Sequence, residues 1–194
     1  MNTSQAKTAK IALAALLACA LIQLVPATAQ ATNLTATAEL KAGSLAFVTS
    51  PPNVTFPATT LNGTVQTIPA EQKIDVGDAT GSGNGWNLTA TSTTFTSGAH
   101  TLSTAATTIQ TEPTVACDAS AAGCTTAATT GLVSYPYSLP AAGSAPAATR
   151  MFNAAEKTGL GDQTVTPTWT LAVAPSTFAG TYTATWTLSL ISAP

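Results

Sequence analysis

The sequence predicts an all-β fold, either an antiparallel β-sandwich or a barrel-like domain, and an Ig-like architecture is compatible with it. Three observations predict this class. Residues 181–190 alternate strictly between apolar and hydroxyl side chains, as a strand with one buried face does. Short segments of this kind recur between turn signals along the chain. Only 7% of the residues are charged, so Thr, Ser, Asn and Gln must supply most of the polar surface.

The first part of the chain has the composition of an export signal. Lys7 and Lys10 precede an apolar run over residues 11–25, and small residues follow Pro26. This pattern predicts a secretory signal peptide over residues 1–31 and leaves residues 32–194 as a single domain. A net charge of −2 with six Lys and Arg residues gives no basic surface for nucleic acid.

The cysteines indicate a disulfide rather than a metal site. Cys19 lies within the signal peptide, where lipoprotein processing at this residue is an alternative to simple cleavage. Cys117 and Cys124 form an even pair in an exported chain and predict a disulfide. Zinc needs about four ligands, and His100 is the only His, with no partner near it in sequence. We expect no metal and no cofactor.

Turn signals divide the mature chain into short elements. Asn62-Gly63 predicts a hairpin turn. The Gly-rich residues 77–85 also predict a turn, because a strand pattern follows them and no Lys is present to form a phosphate loop. Residues 116–131 predict a surface loop, and residues 151–157 are the one mature stretch that could form a helical turn or two. Strands or extended pieces are predicted at residues 36–47, 54–56, 65–68, 73–76, 86–91, 102–109, 132–139, 165–173 and 181–190.

One tripeptide frame, Trp-x-Leu, occurs three times and contains every Trp of the chain. Its copies, with the Tyr four positions before the last, are Trp86 and Leu88, Trp169 and Leu171, and Trp186 and Leu188 with Tyr182. Two readings of these residues stay open. Each Trp could bury about 150–250 Å² in a core, or it could form an aromatic platform for sugar rings. Trp86 follows a Gly-rich loop, so we expect it to lie nearer to the surface than Trp186.

The ordered frames resemble the WxL-domain family of bacterial cell-surface proteins. Residues 78–88 (DATGSGNGWNL) resemble the acidic, Gly-rich run of the family into its first Trp, and residues 179–188 (AGTYTATWTL) resemble its closing strand. Residues 43–47 sit where the family has its opening strand, and the resemblance covers about residues 33–194. In two respects the chain departs from the family. Ala79 stands where members often carry Arg, and Trp169 belongs to an additional copy of the frame.

The resemblance implies a non-catalytic, secreted protein on the bacterial cell surface that binds the peptidoglycan of the cell wall non-covalently. It also implies two kinds of protein partner, a membrane-anchored WxL-interacting protein and other WxL proteins. The binding residues would be those of the WxL motifs, Trp86, Leu88, Trp169, Leu171, Tyr182, Trp186 and Leu188. A secreted fimbrial or coat-like subunit that assembles by β-strand exchange is the alternative, because residues 181–190 suit strand addition. Carboxylates are few and no facing pair can be recognised, so we expect no enzyme.

Overall fold

A computed structural model of the chain describes residues 32–192. The chain divides into two units, Met1–Glu39 and Leu40–Pro194. In the first unit residues 32–39 are described, and they are exposed and form no strand. The predicted signal peptide, residues 1–31, lies outside the described residues. Residues 32–192 contain no helix, and therefore none long and apolar enough to cross a membrane.

The second unit is built from strands, and the prediction of an all-β fold is confirmed. Half of the strands are shorter than the average strand of a globular protein, about five to six residues. In chain order they are β1 (Leu45–Phe47), β2 (Gln66–Glu71), β3 (Ile74–Asp78), β4 (Trp86–Thr93), β5 (Thr96–Ser97), β6 (His100–Thr101), β7 (Thr107–Ile109), β8 (Thr114–Cys117), β9 (Tyr137–Ser138), β10 (Ala141–Ala142), β11 (Thr149–Ala154), β12 (Gly161–Thr166), β13 (Thr168–Val173) and β14 (Trp186–Ser192).

The strands form three four-stranded sheets and a small hairpin, in a sandwich-like arrangement. The first sheet has the order β1-β3-β12-β8, and the third has the order β2-β13-β7-β9. In the second sheet β4 pairs with β14 along one edge and with β11 and β10 along the other. All pairings are antiparallel except that between β10 and β4. The β5–β6 pair forms the hairpin.

The C-terminal alternation is confirmed at the level of burial. Tyr182, Ala184, Trp186 and Leu188 are half-buried, whereas the Thr residues between them are exposed. Regular pairing with β4 begins only at Trp186, and before it Thr183 makes an isolated bridge to Thr96. The strand is therefore shorter at its start than predicted and extends to Ser192 at its end.

The predicted strand over residues 165–173 is in fact two strands in different sheets. β12 pairs with β3 and β8, whereas β13 pairs with β2 and β7. Pro167, which is fully buried, separates them. Proline has no N–H to donate to a ladder, so its position ends one sheet and lets the chain pass to the other.

The predicted helical turns at residues 151–157 are wrong. Residues of this segment form β11, which pairs with β4 from Trp86 to Ala90. Met151 and Phe152 are fully buried against the core. Pairing with a long central strand overrides the weak local preference of a short segment for helix.

Other element predictions were only partly right. The turn at Asn62 forms, with the Asn62 side-chain oxygen accepting a hydrogen bond from the Thr64 amide at 3.0 Å. It is not a hairpin, because residues 48–65 contain no strand to lead into it. Residues 54–56 form no strand. Residues 102–109 and 132–139 form strands only at β7 and β9. The Cys117–Cys124 disulfide is present, with the two Cα atoms 5.9 Å apart.

Candidate functional site

Trp86 begins β4 and is completely buried, at 0% exposure. Its indole Nε1 donates a hydrogen bond to the carbonyl oxygen of Gly159 at 2.9 Å, and its ring lies 5.6 Å from that of Phe152 between centroids. The expectation that Trp86 lies nearer to the surface than Trp186 is wrong, since Trp186 is the half-buried one. Gly85, with φ of +74°, turns the Gly-rich loop directly into the core. A Gly-rich loop thus gives no information on the exposure of the residue that follows it.

Trp169 on β13 is also completely buried. Its Nε1 donates to the side-chain oxygen of Gln72 at 2.9 Å, and the Gln72 amide nitrogen donates to the Pro52 carbonyl at 2.8 Å. A buried indole N–H usually needs a partner of this kind. Both indole N–H groups of the buried tryptophans are therefore satisfied inside the protein.

Trp186 joins these residues from β14. Its ring lies edge-on to Trp169, with 4.7 Å between centroids, and also contacts Phe56 and Phe95 edge-on at 6.5 Å and 6.3 Å. Edge-to-face pairs of this kind stabilise a core by about 0.5–1.5 kcal/mol beyond their buried area. Three of the seven predicted binding residues remain partly accessible, and all three lie on this last strand or just before it.

The three Trp-x-Leu frames thus meet in the interior. Leu88 is fully buried beside Trp86, and Leu171 lies in a smaller adjoining cluster with Leu102, Ala106 and Val173. Trp86 and Trp169 have no exposed face on which a sugar could stack. Of the predicted binding residues, Tyr182, Trp186 and Leu188 keep partial exposure.

Tyr182 lines a surface groove that could not be recognised from the sequence, which we call the aromatic groove. It has a volume of about 440 Å³ and runs between the β5–β6 hairpin with the segment after it and the loop that joins β13 to β14. The residues that line it are Val65, Ala99, His100, Thr101, Leu102, Ser103, Ala105, Ala106, Ala172, Val173, Ala174, Ser176, Thr177, Phe178 and Tyr182. None of them is Asp, Glu, Lys or Arg.

The two sides of the aromatic groove are joined by a ring stack. The His100 imidazole lies on the Phe178 ring with 4.1 Å between centroids and 17° between planes. The Tyr182 hydroxyl donates to the Phe178 carbonyl at 3.0 Å. The backbones of Thr96 and Thr183 exchange two hydrogen bonds, at 2.9 Å and 3.0 Å, where the loop returns to the sheet. These contacts fix the Phe178 loop against the hairpin.

From the sequence, His100 was weighed as a metal ligand, and Phe178 was not singled out. The structure pairs these two residues with each other, without a carboxylate. One signal was available, because Phe178 is the one large aromatic side chain in a loop of small and hydroxyl residues between Val173 and Tyr182.

The carboxylates of β3 have local hydrogen-bonding roles. Asp78 is buried, and its Oδ1 accepts from the Thr80 amide at 3.0 Å and the Thr80 hydroxyl at 2.6 Å, which orders the start of the Gly-rich loop. Asp75 accepts from the hydroxyls of Thr49 and Thr164 at 2.6 Å and 3.0 Å. Within residues 32–192, no group of three or more His, Cys, Asp or Glu residues could hold a metal ion.

The fold and the aromatic groove define the chain as a sandwich-like β protein with an aromatic core and a small uncharged groove. Comparison with protein-family models, with curated proteins and with solved structures finds no match to the chain.

Proposed function

We propose that the chain is a non-catalytic, secreted protein of the bacterial cell surface that binds the cell wall non-covalently, with peptidoglycan as its ligand. The observation that supports this proposal is the convergence of the Trp-x-Leu frames. The first and last frames lie on neighbouring strands, since β14 pairs with β4 along its whole length, and Trp169 packs against Trp186. Burial in one core is expected of any Trp and Leu residues, so the resemblance to the WxL-domain proteins is supported more narrowly, by the pairing of the strands that carry the first and last frames.

The low charge of the chain supports a ligand that is not highly charged. The chain has six Lys and Arg and eight Asp and Glu among 194 residues, so it has no strong field to attract a highly charged partner. The proposal includes the partners that the resemblance implies, a membrane-anchored WxL-interacting protein and other WxL proteins. In this proposal the Trp frames hold the fold, and a surface outside them contacts the wall.

The proposal is tested by co-sedimentation of the purified protein with protein-stripped peptidoglycan sacculi. We expect the pelleted fraction to rise with wall concentration until most of the protein is bound. Cellulose particles serve as the control for non-specific adsorption to an insoluble polysaccharide, and they should leave the protein in the supernatant. Protein that stays in the supernatant at every wall concentration would contradict direct wall binding.

A fimbrial or coat-like subunit is the second candidate, and one observation favours it. Among the described residues β14 pairs with β4 alone, so no ladder occupies its other edge, and an unpaired edge is where an added strand could pair. This candidate predicts concentration-dependent polymers in size-exclusion chromatography, whereas the wall-binding proposal predicts a constant elution volume over the same concentrations.

A further inference from the structure

We propose that the aromatic groove is a saccharide site in which a neutral N-acetylhexosamine ring stacks on the open face of Phe178. This inference rests on the proposed function, because it assigns the wall-binding contact to one place on the surface. It assigns that contact to residues outside the Trp-x-Leu frames, with Tyr182 as the link between the two.

Phe178 offers an exposed aromatic ring in the groove. The His100 ring covers one face of the Phe178 ring, yet 62% of the Phe178 surface remains exposed. One face of the phenyl ring is therefore open to a ligand. The face of an aromatic ring carries negative partial charge, which attracts the weakly positive C–H groups on the flat side of a pyranose.

The rest of the groove lining includes several hydroxyl side chains. Thr101, Ser176 and Thr177 line the groove, and within residues 32–192 their hydroxyl groups make no hydrogen bond to the protein. They are free to bond the hydroxyl and acetamido groups of a sugar. No Asp, Glu, Lys or Arg lines the groove, so the groove is complementary to a neutral ligand. It is poorly suited to phosphate or nucleic acid, which basic side chains bind.

Contacts within the protein hold the walls of the groove in place. Besides the Tyr182 bond and the Thr96–Thr183 pairing, Gly180 lets the loop approach the hairpin closely. A Cβ atom at Gly180 would lie 2.5 Å from the Ser97 Oγ. A site whose walls are fixed before binding loses less conformational entropy when the ligand enters. The volume also lies within the range of small-ligand sites, roughly 300–1,000 Å³.

Calorimetric titration with the β-1,4-linked tetramer of N-acetylglucosamine tests the proposal, because this probe lacks the peptide stems of the wall. Wild type should bind the tetramer. Phe178→Ala should weaken binding roughly tenfold, the size of one lost stacking contact, and Phe178→Tyr should retain it. Leu132→Ala is the matched control, since Leu132 is similarly exposed at 64% and lies outside the groove. It should bind like wild type.

Running the same variants with sacculi separates this inference from the proposed function. If wild type and Phe178→Ala sediment equally and bind the tetramer equally, the aromatic groove is not the site, although wall binding stands. If wild type fails to sediment but Phe178→Ala loses the tetramer, the groove is a saccharide site and wall binding is wrong. A wild-type protein that does not bind the tetramer overturns the assignment of the groove.

Discussion

Trp86→Ala is expected to lower the free energy of unfolding by about 3–5 kcal/mol, in the range of large-to-small changes at fully buried aromatic positions. The substitution removes the contact with Phe152 and leaves the Gly159 carbonyl without the indole donor. An unpaired buried acceptor adds to the cost of the cavity. Urea unfolding followed by circular dichroism measures the change without depending on Trp fluorescence.

Trp86→Phe is the control for this prediction. It keeps an aromatic ring in the core but removes the hydrogen bond to Gly159, so the loss should be smaller, about 1–3 kcal/mol. A Trp86→Ala protein as stable as wild type would contradict the burial of Trp86 in the core. Trp86 would then again be a candidate ligand contact.

Gly85→Ala is expected to be comparably damaging, with a loss of about 3 kcal/mol or more. Gly85 has φ of +74°, which costs a residue with a Cβ about 1–2 kcal/mol. The added Cβ would also overlap the Ala154 carbonyl oxygen and lie 2.8 Å from that of Ala155. The displaced backbone is the end of β11 and the segment that follows it, opposite Trp86. The same urea unfolding measurement gives the loss.

Gly83→Ala separates the two causes. Gly83 has φ of +68°, but no atom lies within 4 Å of a Cβ placed there, so only the conformational cost of about 1–2 kcal/mol should remain. Equal losses at Gly83 and Gly85 would mean that the close approach of the Gly-rich loop to residues 154 and 155 does not contribute to stability.

Elements with a one-sided burial pattern were predictable from the sequence. The alternation before and within β14 predicted a strand because its apolar residues face a core and its Thr residues face water. β11 was missed for the opposite reason. Met151, Phe152, Asn153 and Ala154 are all buried, so the segment shows no alternation that distinguishes a strand from a short helix.

The aromatic groove could not be predicted, because it depends on tertiary contacts. His100 and Phe178 are distant in sequence and meet only because the Thr96–Thr183 bridge brings the hairpin and the β13–β14 loop together. The Trp-x-Leu frames were visible in the sequence, but the burial of their side chains was not predictable. Their spacing drew attention to Trp86 and Trp169, whereas the burial of these residues depends on how the sheets pack against each other. A repeated aromatic motif can therefore pack a core without marking a binding surface.

We propose that the Trp-x-Leu frames hold the fold while the aromatic groove contacts the wall. This division of roles is tested most directly by nuclear magnetic resonance of the ¹⁵N-labelled protein during titration with soluble peptidoglycan fragments. We predict that the amide signals of Thr101, Phe178 and Tyr182 shift progressively, while the indole N–H signals of Trp86 and Trp169 stay in place. Shifts of those two indole signals, with the signals of the groove unchanged, would contradict the claim.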